Sequence, residues 1–381
     1  MKIINAKIFT MSGAVIENGY VEFDDTINDV GLFDGVVSGD EFDAKGAMLF
    51  PGFIDAHTHL GICEDSIGFE GDDCNESTDP CTPHLRAIDA VNVFDVCFKE
   101  ALAAGITTVL TGPGSANPIA GQFIAIKTYG SCIDHMIVKA PVAMKMALGE
   151  NPKTVYNEKK TTPSTRMATA AIIREQLTRA KEYIEKRSSD ENEKFDAKLE
   201  ALSQLFINKL PAHIHAHRAD DIFTAVRIAE EFDFDYTIIH CTQGHLLADE
   251  LAKRGVTALS GPLFSDRSKL ELKGSTPATP GVLSKAGVKT AIITDHPVVP
   301  IQYLPMCAGL AVREGMDYYE ALKSITIWPA EICGISDRIG SIEKGKDADM
   351  VLFRQDPLTL VAKPVAVVAA GKFVDLQNSL S

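Results

Sequence analysis

Two histidines one residue apart, His57 and His59, close an apolar run that begins at residue 48. In an extended strand, residues two apart project to the same side, so both imidazoles would meet at the C-terminal end of one strand. Alone, such a pair is weak evidence of a site. Three further strand-like runs, at 212–215, 236–240 and 290–295, also finish in a side chain able to hold a metal or move a proton, namely His215, His240 and Asp295. Of ten histidines, only His84 and His135 lie clear of these strand ends. Neutral imidazole suits zinc and other borderline transition metals, and catalytic zinc takes three protein ligands while leaving a position for water. The pattern therefore implies a divalent metal, zinc being the expected one, as one or two ions.

Two ions held roughly 3.5 to 4 Å apart call for an anionic group between them. Lys145, in the apolar run 143–148, could serve only as a carbamate formed with carbon dioxide; Glu150, in the following turn, is the alternative. His217 shares the strand period of His215 and could donate to a developing oxyanion, whereas His213 lies deeper and reads as barrel filling, and His245 as a helix-opening surface residue. Three residues are expected near substrate: Asn117 in the loop 111–118, Arg166 at the start of a long helix, and His296 beside Asp295.

The elements that would position these groups follow from periodicity. Candidate strands fall at 48–57, 107–110, 136–140, 143–148, 212–215, 236–241, 257–260 and 290–295, alternating with helical patterns at 87–103, 167–187, 220–232 and 246–254. Alternation of this kind predicts βα units and a parallel sheet. Eight strands over about 290 residues fit an α/β fold of the (β/α)8 barrel type, whose active sites lie at the strands' C-terminal ends. No dinucleotide-binding glycine fingerprint follows an early strand, which disfavours a doubly wound sheet. Short strands at both chain ends predict a small β-sandwich domain built from residues 1–50 and 341–381, with the barrel at 51–340.

Composition narrows the partners. Lys and Arg number 37 against 52 Asp and Glu, a net charge of −15, so the chain lacks the basic footprint that a phosphate backbone demands. No window carries the roughly 18 to 20 apolar residues of a membrane helix, and the first ten residues are too polar for a signal peptide, so a cytoplasmic protein without membrane or nucleic-acid partners is expected. The eight cysteines are scattered without a CxxC pair, reading as reduced core and loop thiols. Seven acids and no Lys or Arg occupy the loop 60–83, which would favour a cationic or amine-bearing substrate by focusing.

His57-Thr58-His59 after Pro51-Gly52-Phe53-Ile54-Asp55-Ala56, then Ala104-Gly105-Ile106-Thr107-Thr108-Val109, His215, His240 and Thr294-Asp295-His296-Pro297, occur in that order. With the tail 340–351, this series resembles the amidohydrolase superfamily of metal-dependent hydrolases over essentially the whole chain, and most of all its imidazolonepropionase-like and prolidase-like branches. The resemblance implies His57 and His59 on the more buried metal, His215 and His240 on the other, and Asp295 as ligand and proton shuttle. Prolidase-like relatives bridge with a carboxylated lysine, which Lys145 would match, while some deaminase-like members use a glutamate, which keeps Glu150 in view.

The chemistry expected is hydrolysis of a non-protein C–N bond, in a cyclic amide, an N-acyl amino acid or a dipeptide-like small molecule. A metal would lower the pKa of its water from ~15.7 toward ~7, and Asp295 would carry the proton to the leaving nitrogen. Alternatives are a single-metal deaminase of a heterocyclic amine, a lactonase or esterase on the same site, or a catalytically silent scaffold. Homo-oligomer formation is compatible with all of them.

Overall fold

The computed structural model of the chain describes residues 1–37, 39, 41–65, 67–189 and 194–375. The N-terminal strands are β1 (Lys2–Ile8), β2 (Ile16–Phe23), β3 (Ile27–Leu32), β4 (Glu41–Asp43) and β5 (Met48–Pro51). There follow β6 (Phe53–Thr58), β7 (Ile106–Thr111), β8 (Ile119–Lys127), β9 (Ile137–Ala147), β10 (Ala212–Ala216), β11 (Tyr236–His240), β12 (Thr257–Ser260) and β13 (Thr290–Ile292). The chain closes with β14 (Met350–Phe353), β15 (Pro364–Ala369) and β16 (Lys372–Phe373).

Two eight-stranded sheets result. The first runs β16-β15-β14-β5-β1-β2-β3, with β4 also on β1, so both ends of the chain share one sheet. Ile3, Ile8, Phe23, Leu49, Met350 and Val368 fill its core. The predicted single strand over 48–57 divides at Gly52 into β5 of this sheet and β6 of the next. A Cβ on Gly52 would stand 2.1 Å from Thr107 Oγ1, which leaves no room for any other residue at the crossing.

The second sheet runs β13-β12-β11-β10-β9-β8-β7-β6 and is nearly closed into a barrel. Its open edges meet through a buried carboxylate rather than a ladder: Asp55 accepts from Thr294 N at 3.1 Å and from Thr294 Oγ1 at 2.6 Å. From β9 to β13 every pairing is parallel, but β8 runs antiparallel to both β7 and β9, a departure from strict βα alternation. The predicted strands at 136–140 and 143–148 are one strand, β9, and β8 was not predicted; the expected count of eight is met by different members.

Packing explains which faces the functional residues use. Met144, Met146, Ala212 and Ile214 cluster with Ile173, Leu177, Leu202 and Leu205 of the covering helices. Period-two alternation then puts Lys145, His213 and His215 on the opposite, lumenal face. The helix predicted over 87–103 is shorter, a turn of 3-10 helix at Ala87–Asp89 and an α-helix at Val96–Ala103, because Asp95 caps the latter by accepting from Cys97 N. The sequence also predicts a final strand over 372–376 and a solvated helical face over the charged stretch 181–198, of which Leu376 and residues 190–193 lie outside the described residues. Among the described residues, no helix is long and apolar enough to cross a membrane.

Candidate metal centre

At the C-terminal mouth of the barrel, β6 and the segment after β13 bring His57, His59 and Asp295 together. Asp295 Oδ1 lies 3.5 Å from His57 Nε2 and 3.5 Å from His59 Nε2. His59 Nδ1 donates to Gly112 O at 2.7 Å, which aims Nε2 at the carboxylate. His57 is fixed differently, by stacking on Phe123 with ring centroids 5.0 Å apart. Asp295 has a φ of 55°, in the sparsely populated left-handed region, a strain of about 1 to 3 kcal/mol that is characteristic of functional positions. Burial opposes its ionisation, yet His240 and His59 beside it hold the carboxyl below its ordinary range.

A second cluster lies one step around the barrel. His215, at β10, His217, just beyond it, and His240, at the end of β11, can present ligand atoms within 4.8 Å of one another. Outer nitrogens are again engaged: His215 Nδ1 with Ser115 Oγ at 2.9 Å, His217 Nδ1 with Thr242 Oγ1 at 2.7 Å, and His240 Nδ1 with Gly261 O at 2.9 Å. Burial pushes the His215 and His240 imidazoles well below their usual value and His217 to about 4, which favours the neutral form that ligates metal. His240, with φ 69°, shares the left-handed backbone of Asp295.

Lys145 is fully buried, opposite His213 in register, with Nζ 3.1 Å from His57 Nε2. Glu150 opens the helix Glu150–Glu158 instead of lining the lumen, and its Oε2 accepts from Glu271 N at 3.2 Å. The substrate contacts expected from sequence fare unevenly. Asn117 uses both amide protons on the protein, one to Glu76 O and one to Thr82 Oγ1, while its Oδ1 accepts from Tyr156. Arg166 Nε is bound to both carboxylate oxygens of Asp221 at 3.0 Å. His296 stays beside the first cluster: its carbonyl accepts from His59 N at 2.8 Å, and its buried Nε2 has no hydrogen-bond partner. His213, read as barrel filling, is buried with neither ring nitrogen bonded. His245 Nδ1 faces Thr242 O at 3.1 Å.

Four contributors escaped the sequence reading. Asp55 lies in the apolar run before His57, where a carboxylate is itself a signal; burial raises it to about 7. Ser115, Thr242 and Glu271 lie in loops, where no periodicity marks them. The acidic loop is less free than its composition implies. Glu64 accepts from Asn92, Asp72 from Cys74 N, Glu76 from Thr78, and Asp79 pairs with Lys198. The same loop brings Cys63, Asp72 and Cys74 within 4.8 Å of one another, and all eight cysteines are free thiols, as expected.

The donor chemistry of both clusters fits divalent metal: imidazole nitrogens, joined in the first by a carboxylate oxygen and including in the second an unpartnered buried His215 Nε2. The amidohydrolase family profile matches residues 48–376. Amidohydrolase tasK of Hapsidospora irregularis is 31% identical over 359 residues, covering 87% of this chain, which spans only 36% of that protein's length. A 5-methylthioadenosine/S-adenosylhomocysteine deaminase of Thermodesulfovibrio yellowstonii is 24% identical, over 89% of this chain and 81% of its own. The crystal structure of an amidohydrolase from Thermotoga maritima MSB8 superposes with a TM-score of 0.94 at 41% identity, covering 98% of this chain and 99% of that one. A Xaa-Pro dipeptidase with bound methionine shares the fold at a TM-score of 0.60 and 18% identity, over 98% and 99% of the two chains. With its strand-end imidazoles, its terminal sheet and a family match over most of its length, the chain belongs to the amidohydrolase family.

Proposed function

We propose that the chain hydrolyses a C–N bond of a small molecule, a cyclic amide, an N-acyl amino acid or a dipeptide-like compound, at a centre holding one or two zinc ions. The observation that carries this reading is Asp295 Oδ1 at 3.5 Å from both His57 Nε2 and His59 Nε2, a ligand set with a proton carrier built into it. When bound, a cation there supplies Lewis acidity toward the scissile carbonyl and toward water.

The side chains do the rest. Asp295, held ionised, takes the proton of the attacking water and passes it to the departing nitrogen. His296, its imidazole lowered to about 4 by burial, offers a neutral ring beside that path and is the favoured substrate contact of the three expected. Lys145, pushed down to about 8 by burial, keeps roughly a tenth of its amine neutral near pH 7, the form that would take up carbon dioxide, release a proton to water and become an anionic donor between the two sites. The ion pair with Asp221 gives Arg166 a structural duty, and Asn117 ties the loop after β7 to the acidic loop.

Metal quantification on purified protein, followed by a screen of N-acyl amino acids, dipeptides, hydantoin-like rings and aminopurines, tests the reading. Asp295→Asn is expected to keep its metal and lose about 10²- to 10⁴-fold in turnover. Full turnover by that variant would remove Asp295 from the mechanism. The likeness to a deaminase supports a second reading, with one ion and release of ammonia from a heterocyclic amine; ammonia formation from aminopurines with one metal per chain would favour it.

A further inference from the structure

Glu271 stands at this centre without belonging to any barrel strand. It lies in the 3-10 turn Leu270–Leu272, between β12 and the helix Thr279–Lys285, and is buried. One carboxylate oxygen, Oε2, accepts from Glu150 N at 2.9 Å, and Glu271 N donates back to Glu150 Oε2 at 3.2 Å. The other oxygen, Oε1, is buried with no hydrogen-bond partner. It faces His217 Nε2 at 3.7 Å and His215 Nε2 at 3.8 Å, and the latter nitrogen is also unpartnered.

A buried carboxylate oxygen facing two imidazole nitrogens, none of them hydrogen-bonded to one another, is costly unless a cation lies between them. The spacing suits one. Ligands about 2.1 Å from a tetrahedral ion are separated by about 3.4 Å, close to the 3.7 and 3.8 Å found here and to the 3.5 Å edges of the His57, His59 and Asp295 set. We propose that Glu271 is a metal ligand, and that the second cation is held by His215, His217 and Glu271 together with His240. His217 then serves as a ligand instead of an oxyanion donor, and Glu150 positions Glu271 without touching the metal.

This inference rests on the metal-centre reading above, and the experiment separates the two. Full-length wild-type protein and Glu271→Gln are stripped, titrated with zinc or cobalt(II), and compared for ions bound per chain, visible cobalt absorption and rate of loss to a chelator. Wild type is expected to bind two ions. Glu271→Gln should keep the first and bind the second at least about tenfold more weakly, with the cobalt spectrum of the second equivalent altered. Two ions bound by the variant with wild-type affinity would overturn the role of Glu271 and leave the functional reading standing, as would a wild type holding one ion only. A wild type that binds no ion would sink both. Should the variant not fold, anomalous scattering at the zinc edge from wild-type crystals decides. A peak bonded to Glu271 Oε1 supports the assignment, and one bonded to His215 and His240 but not to Glu271 refutes it.

Discussion

The two donor clusters at the barrel mouth use the same chemistry on different supports. His57, His59 and Asp295 sit on or just beyond β6 and β13, the strands that Asp55 and Thr294 join. His215 and His217 likewise belong to a strand end, but Glu271 comes from a loop and is gripped by reciprocal bonds with Glu150. A strand-end ligand inherits the rigidity of a ladder, whereas a loop ligand is only as well placed as the contacts holding the loop. The first set should therefore bind its ion more tightly and release it last.

Chelation offers the bluntest way to break that comparison: activity should fall to background and return on adding zinc, the first equivalent restoring less than the second if both ions act. Asp295→Asn comes next, with turnover down about 10²- to 10⁴-fold and both ions retained. Glu150→Ala should weaken the second ion by about 10- to 100-fold and leave the first unchanged, read by metal titration; equal loss at both sites would show that the clusters are not independently supported. His213 sharpens the contrast from the stability side. Burial lowers it to about 3 from 6.5, so between those values the folded chain holds fewer protons than the unfolded one. Its contribution is complete above pH 6.5 and shrinks as pH falls, by about 2 kcal/mol at pH 5. His213→Gln should accordingly lose less stability between pH 8 and 5 than wild type does in urea titrations. Ser115→Ala is the mildest change, loosening the His215 ring and weakening the second ion by roughly tenfold or less.

What could be read from sequence divides along the same line. His57, His215, His240 and Asp295 announce themselves because period-two apolar runs end in them, and the family motif falls on those runs. β8 went unread because Gly121, Gln122 and Lys127 interrupt its apolar pattern, and β9 read as two strands because Pro141 lies inside it. Glu271 carries no local signal: it becomes a candidate only when the fold places it against His215 and His217, more than fifty residues away in sequence. Composition misled most at the acidic loop, whose charge is real but much of which is bound to Asn92, Lys198 and the loop's own backbone and hydroxyls.

The terminal sheet bears on how such a chain comes into being. β5 pairs with β14, so Pro51 waits about 300 positions for Met350, and Asp55 waits 239 for Thr294. A nascent chain emerging from the ribosome can join the barrel edges only once Thr294 has been made and pair β5 with β14 only once Met350 has, and until then β5 and β6 each lack the neighbour that would cover one edge. Pairing over such distances is intrinsically slow and leaves the partly made chain open to aggregation. The first donor set is itself divided between residues 57 and 295, so an ion held there would tie the two edges of the barrel together only after both have been made.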